Sequence, residues 1–112
     1  MSLQDDKILE IINMCKGIKE TKRESVLTNQ LMRSGTSIGA NIHESKYVHG
    51  TADFISKMHI ALKETAETEY WIKLLYLSEY IDDKTSESLL NDCLEIKRIL
   101  IASINTAKEN NK

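Results

Sequence analysis

Apolar residues recur along the chain at intervals of three and four, the spacing of helices that turn one face inward. Over roughly 4–19, Ile8, Ile11, Ile12, Cys15 and Ile18 keep this period. Asp5 and Asp6 stand in the first turn, where negative charge suits a helix N-terminus, and Gly17 predicts a weak last turn. Thr21-Lys22-Arg23-Glu24 has the form of a capping box, so a second helix is predicted over about 22–47. Within it, Ser34-Gly35-Thr36-Ser37-Ile38-Gly39-Ala40-Asn41 has the composition of a loop. The phase argues otherwise: Leu27, Leu31, Gly35, Ile38, Ile42 and Ser45 step by threes and fours without a slip. The helix is therefore expected to run through the glycines, softened or kinked there.

Gly50 is expected to close that helix as a C-cap, with Thr51 as N-cap of a third helix over about 52–79. Its predicted inner stripe is Ile55, Met58, Leu62, Thr65, Glu69, Ile72 and Tyr76. Asp82 is placed to cap a fourth helix over about 83–108, faced by Leu89, Leu90, Cys93, Ile96, Leu100, Ile104 and Ala107. Short connections between long helices make neighbours antiparallel. The predicted fold is all-α, an up-and-down antiparallel four-helix bundle spanning 1–112 as a single domain.

Composition supports this reading. The 112 residues include no proline and four glycines, with 41% hydrophobic and 29% charged positions. Fifteen basic against seventeen acidic residues give a net charge of −2, so no global field draws nucleic acid or an acidic membrane. Cys15 and Cys93 form no CxxC pair and fall among apolar positions, as reduced core thiols do. No window approaches a membrane span, and no basic or apolar leader precedes the first helix, so the expected compartment is the cytoplasm.

The chemical motifs resolve into structural ones. Gly35-Thr36-Ser37-Ile38-Gly39 lacks the preceding strand and the Gly-Lys-Ser/Thr ending of a nucleotide loop. As GxxxG on a helix it predicts close packing against Ala61, Thr65 and Ala66 of the third helix. His43, His49 and His59 do not follow a glutamate by three residues, as dinuclear bundle sites require, so no metal or other cofactor is expected. Glu69 on the apolar stripe calls for a cation, and hairpin arithmetic offers Arg33, pairing with Glu67 or Glu69. No nucleophile and base accompany them, and no catalytic residue or small-molecule substrate is assigned.

Tyr70-Trp71-Ile72-Lys73-Leu74-Leu75-Tyr76-Leu77 surrounds its helix axis with apolar and aromatic side chains, more than one core stripe needs. Tyr70, Trp71, Leu74 and Leu77 are the expected interface with another subunit or partner. Lys16, Lys19, Lys22 and Arg23 cluster at the first connection, diluted by Glu20 and Glu24, and are the expected RNA contacts if several copies assemble their charge.

The run from Gln30 to Glu44, QLMRSGTSIGANIHE, and the run from Asp53 to Trp71, DFISKMHIALKETAETEYW, resemble the two motifs of the bacterial 23S rRNA intervening-sequence proteins, also called four-helix-bundle proteins. The resemblance spans nearly the whole chain. It implies a four-helix bundle assembled as a ring-like homopentamer, without established enzymatic activity. Some members are encoded inside intervening sequences of ribosomal RNA genes. A basic relative, the accessory protein of diversity-generating retroelements, contacts nucleic acid and a reverse transcriptase. The expectation is a non-enzymatic, homo-oligomeric scaffold associated with RNA or a ribonucleoprotein. The alternatives are a structural module for a protein partner without a nucleic-acid role, and a carboxylate-bridged metal protein.

Overall fold

The computed structural model describes residues 3–110 and contains four helices: α1 (Leu3–Lys22), α2 (Val26–Glu44), α3 (Thr51–Leu77) and α4 (Asp83–Asn110). Cross-helix pairs set their directions. Arg33 pairs with Glu64 and Glu44 with Lys57, so α2 and α3 run antiparallel. Glu69 with Lys97, and Tyr76 with Asp83, orient α4 against α3. Lys7 with Asp92, and Lys22 with the Tyr80 carbonyl, orient α1 against α4. The result is an up-and-down bundle of 51 × 22 × 22 Å.

The ends differ from expectation in ways that follow from local hydrogen bonding. α1 continues through Thr21, whose hydroxyl donates to the Gly17 carbonyl rather than capping α2. Glu24 caps alone: its carboxylate accepts the Leu27 and Thr28 amides at 2.7 and 2.9 Å. Partial burial opposes ionisation there, but these bonds outweigh it and hold the Glu24 carboxyl below its usual range. α2 stops at Glu44, short of Tyr47, with Ser45 as its C-cap. Gly50 is the N-cap of α3 rather than a helix stop, at φ 88° and ψ 162°, a backbone state that side chains exclude. The Asp82 cap is as expected, its carboxylate accepting the Thr85 amide at 2.8 Å.

Residues 34–41 are helical, as the phase required. The glycines face α1, however, not α3. A Cβ on Gly39 would stand 2.9 Å from Ile8 Cδ1, and one on Gly35 would stand 3.5 Å from Ile11 Cγ2. The close α2–α3 approach belongs instead to Ser34 and Thr68, fully buried and hydrogen-bonded at 2.8 Å.

The core stripe of α3 is Met58, Ala61, Thr65, Thr68, Ile72 and Leu75, alternating three and four. Leu62, Glu69 and Tyr76 lie one residue off this line, toward solvent at the seam with α4. The expected stripe chose the larger side chain at each ambiguous step, whereas the bundle buries small ones so that α2 can approach. One half of the core gathers Ile11, Cys15, Ile18, Leu31, Ile72, Leu75, Leu89 and Cys93. The other half gathers Ile8, Ile38, Met58, Ala61, Ile96, Leu100 and Ile104.

Candidate interaction surface

The outward side of the α2–α3 seam carries a polar network that ends on aromatic rings. Glu64, Glu67 and Trp71 step along α3 by three and four and so share one edge. Facing them from α2, the Arg33 guanidinium pairs with Glu64 at 3.3 Å and with Glu67, while its Nε donates to Gln30 at 3.1 Å. The same Glu67 oxygen accepts the Trp71 indole N–H at 3.0 Å. Tyr70 then meets Trp71 edge to face, with centroids 5.0 Å apart. Arg33 is 50% exposed, so this is a surface network that positions Trp71 rather than a buried ion pair.

The expected pairing of Arg33 with Glu67 is present. That with Glu69 is not, because Glu69 lies off the core line and bonds Lys97 across the α3–α4 seam at 2.7 Å. The partners missed from sequence were Glu64, Gln30 and Lys97. Glu64 and Gln30 were legible as i±3 neighbours of Glu67 and Arg33. Lys97 required the register of α4.

Of the expected interface residues, Tyr70 is 54% and Leu77 72% exposed, while Trp71 and Leu74 are half-buried. Ile72 and Leu75 on the same helix are fully enclosed. The segment thus feeds the core on one side and leaves an aromatic and aliphatic surface on the other.

The basic group at the first connection is less open than its sequence suggests. Lys19 bonds the Asn29 side chain, and Lys22 bonds the Tyr80 carbonyl at 2.8 Å, tying α1 to the α3–α4 turn. Lys16, Lys22 and Arg23 are exposed, Arg23 in the turn at φ 56°.

Chemical sites are not assembled elsewhere among the described residues. His43, His49 and His59 are all exposed, with His43 set 5.4 Å from the Tyr47 ring. No three His, Cys, Asp or Glu side chains converge in the geometry of a metal site among the described residues. Burial pushes the Cys15 thiol up to about 11 and the Cys93 thiol to about 12, so neither is a thiolate near neutral pH. No helix among these residues is long and apolar enough to cross a membrane.

A crystal structure of a protein of unknown function, from the S23 ribosomal protein family of Bacteroides thetaiotaomicron, is 47% identical and superposes with a TM-score of 0.85. The alignment covers 91% of this chain and 98% of that one. No curated protein matches the sequence. The profile described as 23S rRNA-intervening sequence protein matches residues 5–102. With nearly the whole bundle inside that match, the chain belongs to the 23S rRNA-intervening sequence protein family.

Proposed function

We propose that this protein is a non-enzymatic scaffold that self-associates, as a homopentamer, and presents a composite surface to RNA or a ribonucleoprotein. The observation that carries the reading is the exposed part of Tyr70–Leu77. An aromatic side chain held in place by Trp71, and a leucine mostly in solvent, are what a protein–protein interface uses and what a lone bundle has no need of. The net charge of −2 argues against RNA binding by an isolated copy. Repetition of Lys16 and Arg23 around an assembly concentrates positive charge that the monomer disperses.

Light scattering coupled to size exclusion tests the first half, since a mass of 12.8 kDa at micromolar concentration would refute self-association. Retention of single-stranded RNA tests the second. The logarithm of affinity should fall with the logarithm of salt at a slope of roughly −0.7 per phosphate contact. Reversing Lys16 and Arg23 together should weaken retention and leave the assembly mass unchanged. An assembly that retains no RNA even at low salt would instead be a module for a protein partner.

A further inference from the structure

The seams between the helices are held in different ways. Across α2–α3, Thr68 donates to Ser34 at 2.8 Å, and across α3–α4, Lys97 donates to Glu69 at 2.7 Å. Across α1–α2 the packing is tight, with Ile8 and Ile11 filling the space beside Gly39 and Gly35. α1 and α4 come close at far fewer places. Two open clefts lie between them instead. One, of about 390 Å³, is bordered by Glu10 and Met14 of α1 and by Thr85, Ser88 and Leu89 of α4. The other, of about 400 Å³, continues from Met14 past Gly17 and Thr21, opposite Ile81 and Thr85. Gly17 has no side chain to place there, and a Cβ on it would meet nothing within 4 Å.

Polar bonds close this seam at its ends. At one end Lys7 reaches Asp92 and Glu95, 2.7 and 3.3 Å away, and at the other Lys22 donates to the Tyr80 carbonyl at 2.8 Å. Both lysines belong to α1, and their partners lie on α4 or in the turn before it. The clefts fall between these bonds. Ile18 and Leu89 line them and belong also to the buried cluster that holds Cys15 and Cys93, so the two thiols lie just inside the seam.

The link to α2 lets α1 move as a unit. Arg23 turns the chain at φ 56°, and Glu24 caps α2 by accepting the Leu27 and Thr28 amides. The start of α2 is thus fixed by its own chain and not by where α1 lies. Parting two surfaces that already have open space between them forfeits few dispersion contacts, and low contact density marks the segments that open first.

We infer that the α1–α4 seam is where this bundle opens. α1 swings out from α4 on its contact with α2, while α2, α3 and α4 stay packed, and the motion bares Ile18, Leu89 and both cysteine thiols. Lys7 and Lys22 are the latches, and loss of either shifts the balance toward the open form.

The test is the rate at which an alkylating thiol reagent labels the folded protein, with mass spectrometry assigning the label to Cys15 or Cys93. Labelling of the wild type should be slow and depend on urea less steeply than global unfolding does, since opening one seam exposes less surface. Lys7→Met should speed both thiols about thirtyfold, because the open form no longer holds the shielded Asp92 beside its missing partner. Lys22→Met, which removes a single exposed hydrogen bond, should speed them a few-fold and serves as the second variant if Lys7→Met folds poorly. Thr68→Val loosens a seam that stays closed, so it should lower global stability and leave the labelling rates unchanged. Labelling with the full urea slope of unfolding, accelerated by Thr68→Val as much as by an equal loss of stability elsewhere, overturns the inference. So does a pair of lysine variants whose thiols react no faster than those of the wild type, or label on Cys93 with Cys15 untouched, which would place the opening at α3–α4.

Discussion

Lys7 joins α1 to α4, and its removal tests how the bundle is closed. Its ammonium lies 2.7 Å from Asp92 and 3.3 Å from Glu95, with only 12% of the Lys7 side chain and 17% of the Asp92 side chain exposed. Replacing Lys7 by Met keeps the apolar stem that packs along the seam and deletes the charge. Asp92 is then left nearly enclosed beside a second carboxylate. Breaking a fully buried pair costs 3–5 kcal/mol and an exposed one less than 1, so this partly shielded case should cost about 2 kcal/mol. For a domain of this size that lowers the melting temperature by roughly 8 °C, readable also as a shift in the urea midpoint at unchanged slope. The double change Lys7→Met with Asp92→Leu should recover most of the loss, because Glu95 is half-exposed and stays hydrated. The hydrogen bond that Lys7 donates to Asp92 raises its pKa above 10.5 against the opposing effect of burial. A raised pKa contributes stability that is complete below the unfolded value and is lost as pH climbs through the folded one. The gap between wild type and variant should therefore stay constant from pH 6 to pH 9 and shrink only above 10.5. A Lys7→Met protein within 0.5 kcal/mol of wild type (a bound on the order of an exposed pair's worth), or a double variant as unstable as the single one, would refute the reasoning.

Gly39→Leu should destabilise by about 1–3 kcal/mol through overpacking against Ile8, while Gly17→Ala should stabilise by about 1 kcal/mol, since a Cβ on Gly17 meets nothing within 4 Å; chemical denaturation reads both. Thr68→Val removes the hydroxyl that bonds Ser34 across α2–α3 and should cost about 1 kcal/mol in the same assay, with Ser34 still bonded to the Leu31 carbonyl. Cys15 and Cys93 should resist a thiol reagent at pH 8 in the folded protein and react on denaturation, because both thiols are buried and titrate near 11 and 12; fast labelling of either in the native state would contradict the core described above.

How much of this was present in the linear chain depends on the range of the physics involved. Helix existence was legible because three-and-four periodicity is a property of neighbouring residues, and it carried α2 correctly through Gly35 and Gly39 against their propensity. The Asp82 cap was legible for the same reason: cap and amide are three residues apart. The Arg33–Glu67 pair followed from hairpin arithmetic, which needs only a short turn between antiparallel helices. Other features needed the fold. Whether Leu62 or Ala61, and Glu69 or Thr68, faces the core depends on how closely α2 approaches α3, and that distance is set by Ser34 meeting Thr68. The side of α2 on which its glycines are needed depends on where α1 lies, since Ile8 and Ile11 fill the space. Lys7 with Asp92 and Glu69 with Lys97 join residues 85 and 28 positions apart, and both depend on the register between helices. Periodicity within a helix therefore determined what is helical, and packing between helices determined which face of each helix remains for a partner.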